Sequence, residues 1–138
     1  MGGAMGGSGY SFEDLKVYQA ARDIRKTIYR IVRVLPDHEK YNLCSQMRRA
    51  ALSVTNNIAE GHGRYHYQEN IHFLRQSRGS LEELIDDLNL CEDENYLDKC
   101  ELQQLKDHLY GCLKLINGYV AYLRKRKKDS QDSRCGVN

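Results

Sequence analysis

Side chains that could do chemistry gather in two adjoining stretches of the 138-residue chain. The first is SQMRRAALSVTNNIAEGHGR, residues 45–64, which carries Gln46, Arg48, Arg49, Ser53, Asn56, Asn57 and Glu60. The second places His62, His66 and His72 close to Glu60 and Glu69. Nucleophilic catalysis needs a hydroxyl or thiol beside a base, and neither Ser45 nor Ser53 has a His at a helical neighbour position. Helix-borne metal ligands sit three or four residues apart, whereas His66 and His72 are six apart and fall on opposite faces. Glu69 and His72 form one Glu-x-x-His pair, but di-iron bundles take such a pair from each of two helices, and the chain has no second copy. Gly61-His62-Gly63 is too short for a phosphate loop and follows a helix, where such a loop follows a strand. These patterns predict no enzyme, no metal and no cofactor.

Cations are the better-organised groups. Arg22, Arg25, Lys26, Arg30 and Arg33 share a sector of one helix opposite its apolar stripe, a ribbon about 16 Å long at 1.5 Å per residue. Arg48 and Arg49 add to it, and Arg124, Lys125, Arg126, Lys127 and Lys128 form a terminal run. Such groups can neutralise phosphates without sequence preference, giving strongly salt-dependent binding. Tyr65, Tyr67 and Tyr122 lie near basic residues, where bases could stack on them, although Tyr is also common at protein interfaces. The overall charge of +2 hides this asymmetry: Gly79 to Glu101 holds nine acids and one base, a local −8, so the remainder carries +10. A molecule so divided can pack acidic face to basic face in an oligomer, or offer its basic face to an anionic partner.

The elements that must position these groups are helices. Pro36 is the chain's one proline, and no segment sustains period-two alternation. Ser11 with Asp14 resembles a capping box opening the first helix, whose stripe is Val17, Ala21, Ile24, Ile28, Ile31, Val32 and Leu35. Pro36 and Asp37 end it. A second helix, about 42–61, buries Leu43, Met47, Ala50, Ala51, Val54 and Ile58, and the 61–63 glycines supply a left-handed stop. A third, about 66–94, buries Ile71, Leu74, Leu81, Leu84, Ile85, Leu88 and Cys91. Asp98 with Glu101 caps a fourth, with Leu102, Leu105, Leu109, Leu113, Ile116, Val120 and Leu123 inward.

Four amphipathic helices with short links predict an all-α fold, an antiparallel up-down-up-down four-helix bundle over residues 11–128. Residues 1–10 read as a flexible leader or expression scar and 129–138 as a disordered polar tail. There is neither a signal-peptide pattern nor an apolar run of membrane-spanning length. Cysteines at 44, 91, 100, 112 and 135 are odd in number and form no Cys-x-x-Cys, which points to reduced thiols in a cytoplasmic protein.

The run SQMRRAALSVTNNIAEGHGR, with FLRQSRGSLEEL at 73–84 and FEDLKVYQAARDI at 12–24, resembles the four-helix-bundle proteins known from intervening sequences of bacterial 23S ribosomal RNA genes. The likeness covers nearly everything from Phe12 to Leu123. It departs at Thr55, where the family often has Pro, so a kink there is less assured. The family is related in fold to the accessory variability determinant proteins of diversity-generating retroelements. That resemblance implies a pentamer with a basic surface, binding a reverse transcriptase and RNA or DNA.

Read on its own wheel, the second helix has three faces. Beside the core stripe, Gln46, Arg49, Ser53, Asn56, Asn57 and Glu60 occupy a sector of roughly 100°. Arg48, Leu52, Thr55 and Ala59 form a third. Amides offer poor helix propensity, so their use suggests a contact where each hydrogen bond finds a partner, at a core edge or subunit interface. Glu60 could pair with Arg78 across the second and third helices. Two readings result. One is a non-enzymatic homo-oligomeric adaptor that binds nucleic acid, a reverse transcriptase, or both. The other is a purely structural bundle whose amide face mediates self-assembly.

Overall fold

The structure is a computed structural model and describes residues 11–136, with side chains described through residue 133. Four α-helices follow one another: α1 Lys16–Val32, α2 Leu43–His62, α3 Tyr67–Asp93 and α4 Lys99–Gly136. Each packs on its two neighbours, α1 on α2 and α4, α3 on α2 and α4, with no contact across either diagonal among the described residues. This is the expected antiparallel up-down-up-down arrangement. Its core is one continuous cluster running from Val17 through Ile28, Met47, Leu74 and Leu109 to Leu123. Fully burying each such side chain stabilises the fold by about 1.5–3 kcal/mol before entropy is counted. Ile85 and Leu113, expected inside, are half-buried at the margin, and Cys112 takes an inward position beside Leu113.

The helix boundaries follow from local chemistry, with three departures from the sequence expectation. Ser11 and Asp14 do form a capping box, the Glu13 amide donating to Ser11 Oγ (3.1 Å) and the Ser11 amide to Asp14 Oδ2 (3.3 Å). However, it caps a short 3-10 turn, Phe12–Asp14, and α1 starts after it. The second departure is at Gly63, which ends α2 in a right-handed conformation. The left-handed residue is Asn95 after α3, at φ 55°. There the Tyr96 amide donates to the Cys91 carbonyl (2.9 Å) and the Asn95 amide to that of Glu92 (3.1 Å), the paired bonds of a Schellman end. Asn tolerates this region better than most residues do.

Third, α4 does not stop near residue 128. It is 38 residues long, about 57 Å, against 27 residues and about 40 Å for α3. Its last core residue is Leu123, so the segment beyond projects past the end of the bundle as helix. Most of the tail expected to be disordered is therefore helical. The 1–10 leader and residues 137–138 lie outside the described residues.

Candidate functional site

The polar groups of α2 divide according to which neighbour they meet. On the α3 side, Ser80 Oγ donates to Ser53 Oγ (2.8 Å) and the buried Ser77 hydroxyl donates to the Val54 carbonyl. Asn57 donates Nδ2 back to the Ser53 carbonyl and hydroxyl (2.9 and 3.0 Å). On the α1 side, Arg25 Nη1 donates to Thr55 Oγ1 (2.9 Å), and Thr55 in turn donates to the Leu52 carbonyl (3.1 Å). Thr55 is wholly buried and Arg25 half-buried. Gln46, Asn56 and Glu60 stay at the surface, and Leu52 is 41% exposed.

Glu60 and Arg78 do not meet. Glu60 accepts from Arg64, just past the end of α2 (2.9 Å), and Arg78 donates to Asn117 Oδ1 on α4 (2.9 Å). The reason is reach: Arg78 lies on the side of α3 turned to α4, while Glu60 and Arg64 share one surface of the α2 end. Gly61 is what lets the two helices close there. A Cβ on it would stand 2.7 Å from Asn70 Oδ1 and 2.9 Å from Phe73 Cβ. Asn70 Oδ1 is buried against that glycine with no hydrogen-bond donor.

The cations sort into three sets. Arg22, Lys26, Arg30 and Arg33 are exposed along α1. The ion pairs among the described residues are Arg64–Glu60 and Lys106–Glu92, so none of these four is neutralised by a carboxylate. At the α1–α2 corner, Arg33 and Arg48 line one groove of about 240 Å³ together with Lys40 and one carboxylate, Asp37. Sequence reasoning missed Lys40, which lies outside any helix and showed no periodicity. Arg25 leaves the ribbon for Thr55. Arg49 also leaves it, facing a groove of about 530 Å³ between α2 and α3 whose other charges are Glu83, Asp86 and Asp87. Burial, with the neighbouring Asp86 and Glu83 charges, pushes the Asp87 carboxyl up to about 6.

The third set lies at the far end. Arg124, Lys125, Arg126 and Lys128 are exposed, while Lys127 is half-buried and donates to Gln68 Oε1 on α3 (2.8 Å). The neighbouring Tyr67 hydroxyl holds Arg126 still more firmly protonated. At the opposite end, Tyr96 donates to Glu39 Oε2 (2.8 Å) and lies 3.1 Å from His38 Nε2, clasping the α1–α2 link to the α3–α4 link. The Tyr96 hydroxyl holds the Glu39 carboxyl below its ordinary range.

Cys44, Cys91 and Cys112 are buried and Cys100 is exposed. Burial pushes the Cys91 and Cys112 thiols up to about 11 and about 12, away from the thiolate that reacts. No group of three His, Cys, Asp or Glu side chains among the described residues could hold a metal ion. No helix among them is long and apolar enough to cross a membrane.

What the geometry defines is a small antiparallel helical bundle with polar inter-helix seams and unneutralised cations at its surface. The chain belongs to the 23S rRNA-intervening sequence protein family, whose sequence pattern matches residues 13–118. Its fold is similar to the crystal structure of a protein of unknown function from the S23 ribosomal protein family of Bacteroides thetaiotaomicron. The two superpose with a TM-score of 0.71 at 17% identity, over 76% of this chain and 95% of the other. No curated protein matches the chain.

Proposed function

We propose that this protein is a non-enzymatic adaptor that assembles with copies of itself and holds nucleic acid against its basic surfaces. The observation that supports the reading is the row Arg22, Lys26, Arg30 and Arg33, exposed along α1 and joined at its end by Arg48 and Lys40, none of them in an ion pair among the described residues. Surface arginines on a folded helix are commonly laced with acids one turn away. Here Asp23 is the one acid on α1 and forms no ion pair, while the densest run of acids lies on α3 and at the start of α4, which leaves the α1 cations available to phosphates. Self-assembly would multiply a four-charge row into an extended basic surface, and a pentamer is the number that the resemblance to retroelement accessory proteins suggests. A reverse transcriptase is the further partner suggested by that resemblance alone.

A salt titration tests the reading. Binding of RNA and DNA oligonucleotides should weaken linearly on a log–log plot. Replacing Arg22, Lys26, Arg30 and Arg33 by Gln should flatten the slope by about 3. No binding at 50 mM salt would refute it and leave a bundle that only assembles. Light scattering tests assembly separately, since a mass of 16.0 kDa would mean a monomer.

A further inference from the structure

At the end of the bundle where α4 overruns its neighbours, the α2–α3 turn, the first turn of α3 and the α4 overhang enclose a cleft of about 630 Å³. Its walls carry Tyr65, His66 and Tyr67 on one side and Lys127, Ser130 and Gln131 on the other. That volume lies in the range of small-molecule sites and far exceeds a packing defect. We propose that the cleft holds an unpaired nucleotide of a single-stranded nucleic acid, its base stacked on Tyr65 and its phosphate at Lys127 and the α3 N-terminus.

Three independent features converge there. Tyr65 is 93% exposed, so its ring contributes nothing to the core. Its neighbour His66 makes a T-shaped contact with it, the centroids 5.0 Å apart and the planes at 87°, and at that exposure the tyrosine ring is open to a planar ligand. The second feature is cationic. Gln68 accepts one hydrogen bond from Lys127 and so holds the ammonium at the cleft wall with donors to spare. Arg126 stands beside it against Tyr67. The third is the start of α3, which has no side-chain cap, so its first amides receive no side-chain hydrogen-bond acceptor there. The nearby acids are Glu69 in the first turn of α3 and Asp129 and Asp132 on the overhang, and none of the three lines the cleft.

This combination selects a single strand. A stacking ring needs a base face that a duplex keeps covered, while a phosphate site alone would take either form. Both RNA and DNA single strands present the same base and phosphate, and the experiment separates them. The inference rests on the nucleic-acid reading above but places a different group of residues in contact with the strand.

The test uses the full chain and fluorescence anisotropy with labelled ten-nucleotide oligo-U and oligo-dT, each compared with a duplex of equal length. Either single strand should bind more tightly than the duplex. Tyr65→Ala should weaken that binding about tenfold, the size of one lost base–aromatic stack, and Tyr65→Phe should retain it. Lys127→Gln should reduce the salt slope by about one. Thermal melting verifies that each variant is folded. Unchanged affinity in Tyr65→Ala, or preference for the duplex, would overturn the cleft while leaving the α1 surface standing. Absence of binding to every oligonucleotide at 50 mM salt would overturn both.

Discussion

Replacing Asp87 by Asn should stabilise this protein at neutral pH and leave it unchanged near pH 4. Asp87 sits half-buried on α3 in the groove facing α2, and burial, then Asp86, then Glu83 raise its carboxyl from an ordinary 3.8 to about 6. A carboxyl whose folded pKa lies above its unfolded value holds its proton more tightly in the native state. The Asp87 contribution is therefore most favourable below about pH 4, falls as pH rises towards 6, and carries the full penalty above that. The difference between 3.8 and about 6 corresponds to about 3 kcal/mol at roughly 1.36 per tenfold. Because the group is partly open to water, screening reduces this to about 1.5 kcal/mol. Arg49 faces the same groove from α2, but it is exposed and makes no ion pair with Asp87. Asn keeps the shape and removes the charge, so Asp87→Asn should melt about 5 °C higher than the parent at pH 7.5. At pH 4 the two should coincide. Equal melting temperatures at pH 7.5 would refute the argument, and a gain of the same size at both pH values would show that packing, not ionisation, was responsible.

Two further perturbations probe the seams. Gly61→Ala should destabilise the bundle by about 1–3 kcal/mol, read as a lower urea midpoint at unchanged slope, because the new Cβ meets Phe73 and Asn70 inside contact distance. Tyr96→Phe removes the donor that lowers the Glu39 pKa. That contribution is present above the unfolded carboxylate pKa and lost as pH falls through the folded one. The variant should thus melt below the parent at pH 7, and the gap should narrow towards pH 3.

The fold was legible because its signals are local and repeated. Each inward stripe recurs at helical spacing, and Leu105, Leu109, Ile116, Val120 and Leu123 need no partner to be recognised as one face. Boundaries were less legible where one residue decides. Gly63 offered the more familiar left-handed stop, yet Asn95 takes that conformation because the Schellman pair forms after Asp93. The polar run 129–138 read as a tail since nothing in it asks for burial. Lys127 on Gln68 and Arg126 against Tyr67 tie the first part of the α4 overhang to α3. The site was the least legible part. A wheel gives an angle around one helix, and whether a cation at that angle is free depends on the neighbouring helix. Arg25 and Arg22 share a sector, but Arg25 lies at its edge and finds Thr55 thirty residues away.

The same dependence explains why the charge asymmetry of the sequence survives folding. The α1 cations and the α3 acids occupy elements on a diagonal of the bundle, and diagonal helices are not backbone neighbours among the described residues. Both ion pairs among the described residues are confined elsewhere, one between the end of α2 and the link after it and one between α3 and α4. Neither joins α1 to α3. Up-down-up-down topology thus turns a division along the chain into a division across the molecule, with Arg22 to Arg33 on one edge and Glu82 to Asp93 on the opposite one. An anionic partner approaching such a field is oriented before contact, and a second copy meets complementary edges only when it is turned. The cleft at Tyr65 lies at neither edge. It stands at the end where α4 overruns the bundle, so a strand bound there and phosphates bound along α1 would engage separate parts of the surface, and substitutions in one should leave the salt dependence of the other intact.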